Sequence, residues 1–176
     1  MPGFVVQTPS ALARIAKPIT AAAEPAQENA DLWDAIRPLN DAMNIAEGEA
    51  EYRASVARFS DEQQAAHAIM WYVSDVQNGG HWQFFYNSTG MLWEAAQKGL
   101  RRIGAGKAAL TLSGAALRAG GSPPFDLGSR QSLMKRLSPK FADLDAEISE
   151  LDPLAALQAY IDDNRSAFRA ANPNNA

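Results

Sequence analysis

The 176-residue chain contains two histidines and no cysteine, so disulfides and thiolate chemistry are excluded and imidazole chemistry would have to use His67 or His81. His81 has the more suggestive setting. It lies in residues 76–90, VQNGGHWQFFYNSTG, where Asn78, Gln83 and Tyr86 stand close by in sequence. An imidazole there could act as general base and the side-chain amides as oxyanion donors, the equipment of a small hydrolase. No nucleophile or carboxylate dyad stands at a telling spacing, however, and two isolated histidines do not make a metal site. A histidine at a helix start is more often bonded to backbone, and His67 lies on a helix among alanines. The expectation is therefore a non-enzymatic protein without metal or cofactor, with the His81 pocket as the catalytic alternative.

Charge is the second source of chemistry. From Lys98 to Lys140 the chain carries Lys98, Arg101, Arg102, Lys107, Arg118, Arg130, Lys135, Arg136 and Lys140 against the single acid Asp126, a net +8. Since the whole chain totals −4, the remainder sums to −12. The acidic part is densest at Asp143, Asp145, Glu147, Glu150 and Asp152, followed by Asp162 and Asp163. Asp143, Glu147 and Glu150 share one face of a helix at i, i+4, i+7. Five carboxylates over about 14 Å of helix axis give roughly one charge per 3 Å. That approaches the roughly one per 3.4 Å of a single DNA strand, and matching a duplex needs a second acidic line. Acids opposite an apolar stripe also arise simply as a solvated helix face. The basic block could bind nucleic acid directly, but it lacks interleaved aromatics or a reading motif, and salt bridging within the fold accounts for it equally well.

These side chains need elements to position them, and the patterning gives helices almost throughout. Residues 1–27 read as an N-terminal arm, with a short strand at Phe4-Val5-Val6 and a Pro/Ala/Glu-rich linker. From Asp31, Leu32, Trp33, Ile36, Leu39, Met43 and Ile45 keep to one face, with Pro38 kinking or splitting the helix. Gly48 ends that unit. Ser60 and Gln63 form a capping box opening a helix to Gln77, which buries Ile69, Tyr72, Val73 and Val76. Gly79-Gly80 stops it, one glycine taking the left-handed conformation and the other allowing two backbones to approach closely. Four aromatics follow within five residues: Trp82, Phe84, Phe85 and Tyr86.

Downstream, helices are predicted over 91–103 and 107–119, the second with Gly114 marking a close helix contact. After the Gly120-Gly121-Ser122-Pro123-Pro124 loop, Asp126 caps a helix with Leu133, Met134 and Leu137. Ser138-Pro139 and Asp152-Pro153 read as further helix starts with proline in first position. Phe141, Leu144, Ile148 and Leu151, then Leu154, Leu157, Ile161 and Phe168, form the last two apolar stripes. The expectation is an all-α, single-domain bundle of about eight or nine short helices over 28–171, with a disordered tail at 172–176. No stretch has the length and apolarity of a membrane span, and cytoplasm is the default location.

The run Asn78-Gly79-Gly80-x-x-Gln83-Phe84-Phe85-Tyr86-Asn87-Ser88, preceded by Trp71-Tyr72 and followed by Ile103-Gly104-Ala105, resembles the signature of the DMP-nineteen-like DNA-mimic protein family. The likeness extends from about Trp33 to Phe168. The chain departs from that pattern at Gln77, where a second asparagine stands, and at His81-Trp82, in place of phenylalanine and an acid. The resemblance implies an all-helical, dimeric protein that presents DNA-like negative charge to DNA-binding regulators. Asn78, Gly79, Gly80, Gln83, Phe84, Phe85 and Asn87 are then structural signature residues. Asp143, Asp145, Glu147, Glu150, Asp152, Asp162 and Asp163 are the partner-binding candidates. The partner expected is a basic or DNA-binding protein, with no direct nucleic-acid binding and a homodimer as the working assembly.

Overall fold

The computed structural model describes residues 30–44 and 48–169. The expected arm over 1–27, Ile45 and the tail at 172–176 lie outside these residues. Nine α-helices, and no strand, are found among the described residues: α1 (Ala30–Ala42), α2 (Glu49–Val56), α3 (Asp61–Tyr86), α4 (Trp93–Arg102), α5 (Gly106–Arg118), α6 (Leu127–Leu137), α7 (Ala142–Glu150), α8 (Pro153–Asp163) and α9 (Arg165–Arg169). A 3-10 turn, Ser88–Leu92, joins α3 to α4.

The long α3 is the element on which α1, α4, α6, α7, α8 and α9 all pack. Its start is fixed locally. Ser60 Oγ accepts from the Gln63 N–H at 3.2 Å and Gln63 Oε1 accepts from the Ser60 N–H at 3.0 Å, so two amides that the helix leaves unpaired are both satisfied. Ile69, Tyr72, Val73 and Val76 are buried along its first half. At Gly79 and Gly80 the backbone leaves the helical region and α3 bends before resuming at His81. Gly80 is the left-handed residue, with φ 73°. The close approach at the pair is made by side chains rather than by a second backbone: a Cβ on Gly79 would strike the Gln83 side chain and one on Gly80 the Asp145 carboxylate.

Three other elements differ from the sequence expectation for identifiable reasons. Pro38 does not split α1, because burial of Leu32, Ile36 and Leu39 holds the helix although Pro38 lacks an N–H. Ser138-Pro139 does not open a helix. Ser138 is the left-handed C-cap of α6 (φ 42°, ψ 51°), its N–H bonded to the Met134 carbonyl, and Pro139 follows that stop, so α7 begins only at Ala142. The final stripe is interrupted at Asn164, which caps α8 and separates it from α9. Asp152-Pro153, by contrast, opens α8 as expected, with the Asp152 carboxylate accepting from the Ala155 N–H at 3.0 Å.

The tight helix contact falls at Gly99 rather than Gly114. A Cβ on Gly99 would lie 3.1 Å from Ala65 Cβ and 3.1 Å from Ile69 Cδ1, tighter than an ordinary contact, so glycine there lets α4 lie close against α3. A Cβ on Gly114 would meet Leu144 at 3.8 Å, an ordinary contact.

Candidate functional site

The motif segment after the bend is held between two buried charges. Asp75, on the first half of α3, accepts from Asn87 Nδ2 at 2.9 Å, from the Thr89 hydroxyl and, at 3.5 Å, from Gln83 Nε2. Arg130 of α6 is fully buried and makes no ion pair among the described residues; its guanidinium donates to five carbonyl oxygens instead. These belong to Phe85 (2.9 Å), Asn87 (2.7 Å), Ser88 (3.1 Å), Pro124 (2.7 Å) and Phe125 (2.6 Å). The rigid fork of five donors suits arginine to this position and no other side chain. Burial lowers its pKa to about 10, which still leaves it charged at neutral pH. Gly90 makes room for it: a Cβ there would lie 2.5 Å from the Phe84 carbonyl and 2.9 Å from Arg130 Nε.

Phe84 and Phe85 are fully buried between these anchors, each burial contributing about 2–3 kcal/mol. Asn78 is exposed and its side chain makes no hydrogen bond among the described residues. The signature is thus a folding device built from Gly80, Gln83, Phe84, Phe85 and Asn87. Asp75 and Arg130, which complete it, carry no local sequence signal.

The model of the family described as DMP19-like protein matches residues 57–164, more than half of the chain and all of the segment just described. The chain belongs to the DMP19-like protein family. No curated protein and no solved structure matches it.

In this DMP19-like protein, His81 is fully buried at the restart of α3. Its ring Nδ1 lies 2.6 Å from Asp145 Oδ1, its backbone N–H donates to the same oxygen at 2.8 Å, and Nε2 lies 2.9 Å from the Tyr72 hydroxyl. Burial lowers the His81 pKa in spite of the opposing pull of Asp145, so the ring is neutral at pH 7. A carboxylate oxygen can only accept. The proton therefore sits on Nδ1, and Nε2 accepts from Tyr72, whose own pKa is raised by burial and by the nearby Asp145 and Glu147 charges.

The pocket anticipated around His81 has different members. Gln83 turns to Asp75, Tyr86 stacks on Trp82 with centroids 6.1 Å apart, and Asn78 faces solvent. Hydroxyl, imidazole and carboxylate form a relay, but Tyr72 and His81 are both wholly inaccessible. A shallow cleft of about 360 Å³ passes nearby, lined by Trp82, Ser138, Pro139, Lys140, Phe141, Ala142 and Asp145. Of the relay, only Asp145 reaches it.

The seven acids of α7, α8 and the two-residue link between them divide into engaged and open groups. Asp145 is tied to His81. Asp143 makes a bidentate pair with Arg118 at 2.5 and 2.6 Å, which lowers its pKa to about 2. Asp162 pairs with Arg165 at 2.6 Å, and Asp152 serves as the α8 cap. Glu147, Glu150, Asp152 and Asp163 are exposed and make no ion pair among the described residues. The basic block is likewise partly internal. Arg130 is buried, Arg102 bridges to Asp61 and Glu62, Arg118 holds Asp143, and Lys135 lies 5.5 Å over the Tyr86 ring.

His67 of α3 is buried with its Nε2 unpartnered, and burial lowers its pKa to about 3. Among the described residues no group of three His, Asp or Glu is placed to hold a metal ion, and no helix is long and apolar enough to cross a membrane.

Proposed function

We propose that this DMP19-like protein is a non-enzymatic interaction module that offers the acidic faces of α7 and α8 to a basic, DNA-binding protein such as a transcriptional regulator. The observation that carries this reading is the set of exposed acids Glu147, Glu150, Asp152 and Asp163, which make no ion pair among the described residues, within 142–163, a segment with seven acids and no lysine or arginine. Such a surface attracts cationic partners over a Debye length of about 8 Å and raises their association rate.

The same geometry sets how far mimicry of DNA can go on one helix. With Asp145 turned inward, Asp143 paired with Arg118 and Asp152 beyond the break at Leu151, the open line on α7 is Glu147 and Glu150. That is about one charge per 5 Å of axis, sparser than the roughly 3.4 Å of one DNA strand. A DNA-like surface therefore combines α7 with α8, or with the same helices of a second copy of the chain.

The catalytic alternative has the Tyr72–His81–Asp145 relay in its favour, and the burial of its hydroxyl and imidazole weighs against it. Direct nucleic-acid binding is weakened by the internal engagement of Arg102, Arg118 and Arg130. Affinity capture from a native lysate, eluted with duplex DNA, tests the proposal. A DNA-binding protein released by the duplex supports it, and retention of nothing that duplex DNA displaces refutes it.

A further inference from the structure

The cleft beside Asp145 has features that the relay alone does not explain. Asp145 is tied through Oδ1 to two donors on His81, which orients the carboxylate. Its other oxygen, Oδ2, has no protein donor among the described residues, and 34% of the side chain is exposed. The wall beside it is aromatic and apolar, formed by Trp82, Pro139 and Phe141. Trp82 is half-buried and lies nearly parallel to Tyr86, the planes 14° apart. The Tyr86 ring of this stacked pair already carries a cation, Lys135 Nζ, at 5.5 Å. A fixed carboxylate and an indole lining one cleft are a combination that can receive a planar cation, which stacks on the ring while donating to the acid.

We propose that this cleft takes an arginine side chain of the basic protein partner, its guanidinium stacked on Trp82 and hydrogen-bonded to Asp145. The inference rests on the reading of α7 and α8 as a surface for a basic partner and supplies that surface with an anchoring pocket. Asp145 and Glu147 lie on the same short helix, so an arginine seated in the cleft places neighbouring cations of the partner near the open acids. Two cations of the chain oppose the guest. Arg118 is neutralised by its bidentate pair with Asp143, whereas Lys140 is exposed on the cleft rim and makes no ion pair among the described residues. Lys140 is thus a brake on arginine binding, and this distinguishes the proposal from one in which the guest is an anion, for which Lys140 would be the ligand.

The test requires no partner. The ¹⁵N-labelled protein is titrated with N-acetyl-arginine amide, following the four indole N–H signals of Trp33, Trp71, Trp82 and Trp93. The Trp82 signal shifts and saturates in the millimolar range while the other three stay in place, and N-acetyl-citrulline amide, the neutral isostere, leaves Trp82 unmoved. Lys140→Gln, an exposed change that leaves Asp145 and His81 intact, tightens arginine binding by about threefold. An equal response to citrulline, no saturable Trp82 shift, or weaker binding in Lys140→Gln would overturn the proposal. Because the probe is free arginine, failure here leaves partner binding through Glu147 and Glu150 standing. Failure of that binding with a positive titration would leave the cleft a cation site without the acidic docking face.

Discussion

Asp145 Oδ1 receives both the backbone N–H (2.8 Å) and the ring Nδ1 (2.6 Å) of His81, joining α7 to the restart of α3 across 64 residues of sequence. The bend at Gly80 makes this meeting possible, since a side chain there would occupy the place of the carboxylate. Asp145→Ala would leave two buried donors unpaired, at a cost of about 2–4 kcal/mol. Urea denaturation measures this, and a loss below about 1 kcal/mol would show that water or a neighbour replaces the carboxylate.

Gly90 and Gly114 make a paired prediction. Gly90→Ala pushes a methyl against the Phe84 carbonyl and Arg130, neither of which can retreat, and is expected to cost more than about 2 kcal/mol. Gly114→Ala adds a methyl in ordinary contact with Leu144 inside α5 and gains helix propensity, stabilising by about 0.5–1 kcal/mol. Melting temperatures of the two variants should move in opposite directions. Movement in the same direction would contradict the packing described for α5 and α6.

Arg130→Lys keeps the charge but cannot serve five carbonyls held in a fork. It is expected to cost about 3–5 kcal/mol, as does breaking other buried charge networks. Equilibrium unfolding of the variant checks this, and near-native stability would mean that the arginine geometry is incidental.

The buried histidines set an acid limit. His67 has its pKa lowered from 6.5 to about 3, so the unfolded chain binds a proton that the folded chain refuses throughout that interval. Its contribution is complete above pH 6.5 and declines as pH falls towards 3, by about 1.4 kcal/mol per unit once well below 6.5. His81, also lowered, acts in the same direction. The Asp143 pair is lost only further down, as pH falls from 3.8 through about 2. His67→Leu removes an imidazole whose Nε2 has no partner and should flatten the decline between pH 6 and about 4 while changing neutral-pH stability by less than about 1 kcal/mol. Melting curves at stepped pH would show this, and an unchanged slope would locate the acid sensitivity elsewhere.

What could be read from the residues divides by range. Ser60 with Gln63, Asp126 with Ser129 and Asp152 before Pro153 are contacts over three residues or fewer, and each appears as the pattern requires. The Gly79-Gly80 bend and the apolar stripes were equally legible, because turn chemistry and helical period are local properties. Ser138-Pro139 reads as a helix entry and is instead a C-cap exit, for a local reason: a serine before proline suits both. The charged members of the site were not legible. Asp145 resembles its neighbours on α7 until α3 places His81 against it, and Arg130 is one of nine cations in its block until five carbonyls converge on it.

Binding of the captured DNA-binding protein to Glu147→Gln/Glu150→Gln, compared with the unaltered chain at low and moderate salt, tests the central claim most directly. Both residues are exposed and make no ion pair among the described residues, so the fold should be untouched and circular dichroism should be superimposable. The account predicts at least a tenfold loss of affinity at low salt, about 1.4 kcal/mol, and a shallower dependence on salt. Equal affinity and equal salt dependence in a folded double variant would contradict it.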